Sequence, residues 1–354
     1  MPKTPVNLTH LERMTDDTGL LEHALGDIPK RREGYTTDDN ARALWVCASW
    51  YRLLRSDPSV DPNLLKRLIR LADVYLAFLV WAQEPDGHFY NNYSYDRQKE
   101  PESPSDDCLG RTLWSCAVAL RALPGDDRKH VLRILLSRGF KAAHQVRHMH
   151  GGAYILAAAA LGNLSEAAAG LIDRFESELI NLFRNNADDD WQWFDAAITY
   201  SGGLMPWALY RSSVVTGNRE ARRVARASLD FLTQKMIGPN GHLRSIGNDG
   251  WCTRTKRAIW DQQPVDIAAL ALAAEAADRA EPDNDRWYKT IGKCRDWFHG
   301  ENDLQASMFT SEGGGYDGFS GFGVNRNQGA ESTLSYLLTE LIFARRKDRI
   351  KQPV

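Results

Sequence analysis

Two adjacent acidic pairs, Asp38-Asp39 and Asp106-Asp107, and four further carboxylates, Asp195, Asp261, Asp266 and Glu331, stand at or near the starts of helical stretches. Carboxyls gathered in one place do acid–base chemistry when their surroundings push one to stay protonated and another to stay ionised. Asp195 follows Trp191, Trp193 and Phe194. Such surroundings exclude water from the charged form and raise the pKa, which suits a general acid, with a helix cap as the alternative. Asp39 and Arg42 stand three apart on one helical face, so Arg42 is expected to hold Asp39 ionised as a base or as a ligand for a hydroxyl. Asp106 and Asp107 repeat the arrangement, with Arg111 four residues beyond Asp107. In each pair one carboxylate could cap the helix and leave the other to face a cavity. Glu331 follows Asn325, Asn327 and Gln328, and either points into a cavity or stabilises the start of the last helix.

Histidines supply a second kind of proton transfer. His144, His148 and His150 surround one helix start, where a loop could present His148 or His150 as a proton shuttle; a hydrogen-bonded structural role is the alternative. No metal is expected, because neither DDNAR nor DDCLG has the two acids, gap and third acid of an aspartate-rich cation site. Activity should therefore persist in a chelator. GxSxG is absent, and Ser311-Glu312-Gly313-Gly314-Gly315 reads as a lid or turn, with no strand before it to make it a phosphate cradle.

The elements that must position these groups are helices. Ala- and Leu-rich stretches of 3.6-residue periodicity cover 41–54, 64–81, 109–123, 131–144, 153–161, 166–183, 204–215, 220–235, 265–277, 287–297 and 332–345. A polar cluster precedes every second stretch. With Asp38, Asp106, Gly151, Ser201, Gln263 and Gln328 as markers, the steps are 68, 45, 50, 62 and 65 residues, each long enough for a helix pair. One sixth of the 354 residues is 59, so six pairs fill the chain. A repeat of helix pairs at this scale marks a solenoid or closed toroid. The expected architecture is all-α, an (α/α)6 toroid of six hairpins formed by twelve major helices. Inner helices should start near 39, 107, 152, 203, 265 and 331. The helix after Trp297 is the faintest in the pattern.

Between the helices, segments 81–95, 191–200, 238–251 and 313–327 mix aromatic, Gly, Asn and acidic residues. Aromatic faces beside donors and acceptors suit sugar rings. Tyr35, Arg42, His150, Trp191, Trp193, Tyr200, Trp251, Gln263, Asn325, Asn327 and Gln328 are the substrate-binding candidates. The plain alternative is that these aromatics pack the loops onto the helices. Hydrolysing a glycoside by inversion needs a protonated acid on the leaving oxygen and an ionised base holding water on the opposite ring face. Asp195, Glu331, Asp39, Asp107, Asp38 and Asp106 are the catalytic candidates.

Composition excludes several classes. A hydrophobic share of 43%, a charged share of 25% and a net charge of −2 fit a globular chain with no basic stripe, so no nucleic acid is expected as partner. The longest apolar run, 151–162, is too short to span a bilayer, and no membrane association is expected. The opening MPKTPVNLT lacks an apolar signal core, which makes the cytoplasm the expected compartment. Five cysteines without a CxxC pair argue against a disulfide framework or zinc knuckle.

The hairpin pattern with its aromatic, acidic segments resembles the (α/α)6 six-hairpin glycosidase superfamily, which includes inverting hydrolases and sugar epimerases. More narrowly, Tyr35-Thr36-Thr37-Asp38-Asp39-Asn40-Ala41-Arg42, the WQWFDAAITY segment, Gln262-Gln263-Pro264-Val265-Asp266 and Gly323-Val324-Asn325-Arg326-Asn327-Gln328-Gly329-Ala330-Glu331 are similar to a bacterial family. Its members occur alone or joined to a glycosyltransferase domain, often near mannoside phosphorylase genes. The match runs from Met14 to Leu338, and this chain has Asp195 and Asp266 where relatives tend to have Glu. The resemblance implies an oligosaccharide substrate, with a mannoside among the candidates, no cofactor, and a glycosyltransferase as a functional partner. A single domain is expected over 1–354, with residues 1–34 packing at the barrel mouth. Three activities stay open: an inverting glycoside hydrolase, a sugar epimerase using His148 or His150, and a non-catalytic carbohydrate-binding or scaffold domain serving a glycosyltransferase.

Overall fold

The computed structural model describes residues 6–101, 104–162 and 164–351. Twelve α-helices run through these residues: α1 (Thr9–Arg13), α2 (Thr37–Leu54), α3 (Pro62–Ala82), α4 (Asp106–Ala122), α5 (Asp126–Ala143), α6 (Met149–Ala159), α7 (Leu171–Asn186), α8 (Leu204–Thr216), α9 (Arg219–Lys235), α10 (Pro264–Ala280), α11 (Asp285–Phe298) and α12 (Ala330–Lys351). Four antiparallel two-stranded ribbons join them: β1 (Ala24–Leu25) with β2 (Ile28–Pro29), β3 (Tyr35–Thr36) with β4 (Asn92–Tyr93), β5 (Ala197–Ile198) with β6 (Cys252–Thr253), and β7 (Gly318–Ser320) with β8 (Gly323–Asn325).

Short polar side chains close the first turns, as N-cap preferences require. Thr36 caps α2, Asp61 α3, Ser105 α4, Asn218 α9 and Asn284 α11, each accepting from a backbone N–H of its first turn. Burial then sorts the helices into two kinds. From His150 to Ala159 every residue of α6 is buried, and so is every residue of α10 from Asp266 to Asp278. In α9, by contrast, Ala221, Val224, Ala225, Leu229 and Leu232 form one apolar stripe. The helices expected inside, α2, α4, α6, α8, α10 and α12, begin within a few residues of the expected starts.

The chain divides into two compact units. Met1–Ile172 with Ser311–Gly314 and Asn327–Leu334 form the first; Asp173–Thr310, Gly315–Arg326 and Ser335–Val354 form the second. In the first unit α2 packs on α3 and α4, and α4 on α5 and α6; Trp45 of α2 meets Trp114 of α4 edge-on at 5.5 Å. In the second unit α10 packs on α8 and α11, and α8 on α9. All five cysteines are buried and free.

The helix count needs one correction. Eleven helices are long, and the twelfth is the five-residue α1; among the described residues no helix lies between Phe298 and Ala330. That interval contains Gly300, Gly313, Gly314, Gly315, Gly318, Gly321 and Gly323, and a glycine-rich stretch loses too much backbone entropy to hold a helix. No helix among the described residues is long and apolar enough to cross a membrane.

Candidate active site

In the first unit the starts of α2, α4 and α6 bring ionisable side chains together. Thr36 takes the cap of α2 for itself: its Oγ1 accepts from Asp39 N–H at 3.2 Å and donates to Asp39 Oδ2 at 2.9 Å. Neither aspartate of the pair is the cap, as had been expected of one. Arg42 donates to Asp39 Oδ1 and, through its other terminal nitrogen, to Glu331 Oε2, both at 2.7 Å. One guanidinium thus joins α2 to the start of α12. Asp39 is 4% exposed, and its burial pushes the carboxyl above the ordinary value; Arg42 opposes this and the Glu331 charge adds to it. Arg42 was expected to hold Asp39 ionised. The ion pair is present, but desolvation outweighs it.

Asp38 pairs with Arg111 of α4, whose guanidinium is buried and lies 5.3 Å from the centre of the Tyr154 ring of α6. The helical spacing from Asp107 to Arg111 suggested a partner on α4 itself. Packing of α2 against α4 gives Arg111 the carboxylate of Asp38 instead.

The approach of α4 to α6 rests on two glycines. A Cβ at Gly110 would overlap the Gly151 carbonyl, and one at Gly151 would overlap the Asp106 carbonyl. Asp106 then serves as an external cap for α6: its Oδ2 accepts from Arg147 N–H at 2.8 Å and from His148 N–H at 2.9 Å. Asp107, half-buried, has its Oδ1 2.8 Å from His148 Nδ1. The rings of His148 and His150 stack with centroids 5.3 Å apart; His148 is half-exposed and His150 buried.

A carboxyl that the sequence did not single out completes the set. Glu22 precedes β1, and its backbone is fixed by bonds from its own N–H to the Gly34 carbonyl (3.0 Å) and from Ala330 N–H to its carbonyl (2.9 Å). The second bond ties it to the residue before Glu331. Burial, then the charge of Asp39, lift the Glu22 carboxyl to about 7, against a smaller pull from His23. No helical periodicity or motif surrounds this residue; the only hint is an acid directly after the apolar Leu20-Leu21.

Three binding candidates also lie here. Asn327 Oδ1 accepts from Gly26 N–H at 3.0 Å, and the Gln328 carbonyl is 2.8 Å from His10 Nε2. Tyr35 is 1% exposed, donates its hydroxyl to Asp16 Oδ2 at 2.7 Å and lies against Phe78 and Tyr95. A ring so covered packs the α2 start and has no face to offer a sugar.

The remaining candidates fall in the second unit. Trp191 and Trp193 are each 1% exposed and belong to the core, and the Trp191 indole N–H donates to the backbone carbonyl of Asp195 at 2.7 Å. The Asp195 side chain itself is exposed, with Oδ1 accepting from Ala196 N–H at 2.6 Å. The water-excluded setting expected of it belongs to its aromatic neighbours, which turn inward while it turns out. Asp266 is buried and accepts from Ser201 N–H at 2.6 Å. Gln263 precedes α10 and Asp261 holds a left-handed φ of 61°, both half-buried. Tyr200 and Trp251 keep partly exposed rings 6.5 Å apart, and Asn325 is exposed on β8.

No known family pattern and no curated protein matches the chain. Solved structures do. A cellobiose 2-epimerase from Bacillus thermoamylovorans superposes with a TM-score of 0.70 at 13% identity over 96% of both chains. A D-mannose isomerase gives 0.66 at 11% identity, again over 96% of both. A GH76 α-mannanase from Bacteroides thetaiotaomicron gives 0.64 at 12% identity over 97% of this chain and 95% of that one. These likenesses show the fold, an (α/α)6 toroid.

Proposed function

We propose that this chain is a carbohydrate-active enzyme that hydrolyses a glycosidic bond with inversion, with Glu22 as general acid and Glu331 as general base. The observation that carries the reading is the bond from Ala330 N–H to the Glu22 carbonyl, which sets Glu22 beside the helix start that bears Glu331 on Arg42; burial, which pushes the Glu22 carboxyl up to about 7, supports it. Two carboxyls in unlike surroundings divide the acid and base roles between them. Glu22 gives its proton to the leaving oxygen as the C–O bond breaks. Glu331 takes a proton from the water that forms the new C–O bond on the opposite face, and exchange with solvent restores both groups. Asp39 positions Arg42, because both of its carboxylate oxygens are already bonded within the protein. The likeness to a mannanase and to a cellobiose-converting enzyme supports mannosides and glucosides as the substrates to try first.

A second reading, sugar epimerisation or isomerisation, is favoured by the Asp107–His148 bond with His150 stacked beside it, since an oriented imidazole near neutral pH moves protons well. Incubation with a panel of manno- and gluco-oligosaccharides, followed by sugar chromatography, separates the two. New reducing sugar of lower mass supports hydrolysis, and NMR of the first-formed anomer reads inversion. An isomer of equal mass supports the second reading and removes Glu22 and Glu331 from the acid and base roles.

A further inference from the structure

We propose that Asp107, His148 and His150 form a binding site for one divalent transition-metal ion of the zinc class, a feature that goes beyond the hydrolytic reading and does not depend on it. One donor atom from each of the three residues lies within 4.8 Å of the others. Ligands about 2.0–2.2 Å from a common zinc ion stand no more than about 4.4 Å apart, close to the spacing bound found here. Two imidazole nitrogens and one carboxylate oxygen suit a borderline ion better than calcium or magnesium, which take oxygen ligands.

The scaffold around the three residues is rigid where a metal site needs it. Asp107 comes from the first turn of α4; His148 and His150 come from the start of α6. The Gly110–Gly151 contact and the two N–H bonds to Asp106 fix one helix start against the other. Burial is graded across the cluster, from buried His150 through half-buried Asp107 to His148 at the solvent. An ion can therefore reach the site from water and keep coordination positions open on the His148 side, the pattern of a three-ligand site. Arg111, whose charge acts on Asp107, is itself matched by Asp38, so the local field does not repel a cation outright. On binding, the ion takes the place of the hydrogen bond between His148 Nδ1 and Asp107 Oδ1; the neutral imidazole then carries its single N–H on Nε2, and any further proton of the ring passes to solvent.

The test uses the full-length protein stripped with EDTA and dialysed, then titrated with Zn²⁺ against a chromophoric chelator and with Co²⁺ followed by visible absorption. The expected result is one ion per chain, with Co²⁺ d–d bands, and a loss of affinity of roughly 10-fold or more in His148→Ala. His148 is half-exposed, so this variant keeps the parent fold, which circular dichroism verifies; Asp107→Asn is the second variant and is expected to weaken uptake likewise. Failure of the stripped parent to take up either ion at micromolar concentration overturns the proposal, and so does His148→Ala binding as tightly as the parent. Uptake is read without any turnover assay, so its failure leaves the Glu22–Glu331 reading standing.

Discussion

The helix starts of the first unit and those of the second use the same scaffolding and differ in what is added to it. In the first, the carboxylate of Asp106 in α4 accepts backbone N–H groups ahead of α6, and Gly110 and Gly151 permit the close approach. In the second, Asp266 in α10 accepts the N–H of Ser201 ahead of α8, and a Cβ at Gly203 would overlap the Ala269 carbonyl. There the added residues are apolar, with Leu204, Met205, Pro206 and Trp207 all buried. Around α2, α4 and α6, by contrast, stand Asp38, Asp39, Arg42, Arg111, Asp107, His148 and His150. A carboxylate at a helix start is thus an assembly device by default, and in the first unit further ionisable groups are set against it.

Four perturbations break or sharpen this contrast. The largest effect belongs to Arg111→Met, which leaves Asp38 beside a buried apolar side chain in place of its cation. Removing one partner of a buried ion pair costs about 3–5 kcal/mol, measured by urea unfolding. Next is a pH effect from Glu22. Its folded-state value of about 7 lies above the ordinary 4.5, so the folded chain holds this proton more tightly than the unfolded one. The resulting stability is present below pH 4.5 and declines by up to about 3 kcal/mol as the pH rises through 7, a decline that Glu22→Gln abolishes. Gly110→Ala pushes α4 from α6 and should cost about 1–3 kcal/mol, with weaker Co²⁺ uptake as a local readout. The smallest effect is expected of Asp266→Ala in the second unit. Loss of a cap there costs about 0.5–2 kcal/mol and leaves turnover as in the parent.

Much of the fold was legible in the sequence, because apolar periodicity and polar caps are local signals. The six in-phase starts fall at α2, α4, α6, α8, α10 and α12. Which side chains meet was not legible, because it is decided by packing between helices. Arg111 reads on its own helix as a partner for Asp107, and only the α2–α4 contact hands it to Asp38. Nor could spacing within DDCLG show that His148 meets Asp107, since it arrives from the start of α6, 41 residues along the chain. Asp195 misled for a related reason: the aromatic residues before it lie in the core while the carboxylate faces water. Glu22 shows only an acid after Leu20-Leu21, and its elevated value comes from burial and from Asp39, a neighbour that only the folded chain supplies.

The central claim is that the carboxyls gathered in the first unit, Glu22 and Glu331, and not Asp195 of the second, carry the proposed acid–base chemistry. Its most direct test compares turnover by Glu22→Gln and Asp195→Asn on whichever oligosaccharide the panel shows to be cleaved. Glu22→Gln should lose about 10²- to 10⁴-fold in kcat with the fold intact, while Asp195→Asn turns over at the parent rate. Parent-level turnover by Glu22→Gln together with a collapse in Asp195→Asn would contradict the account and return the acid to the exposed carboxylate behind Phe194.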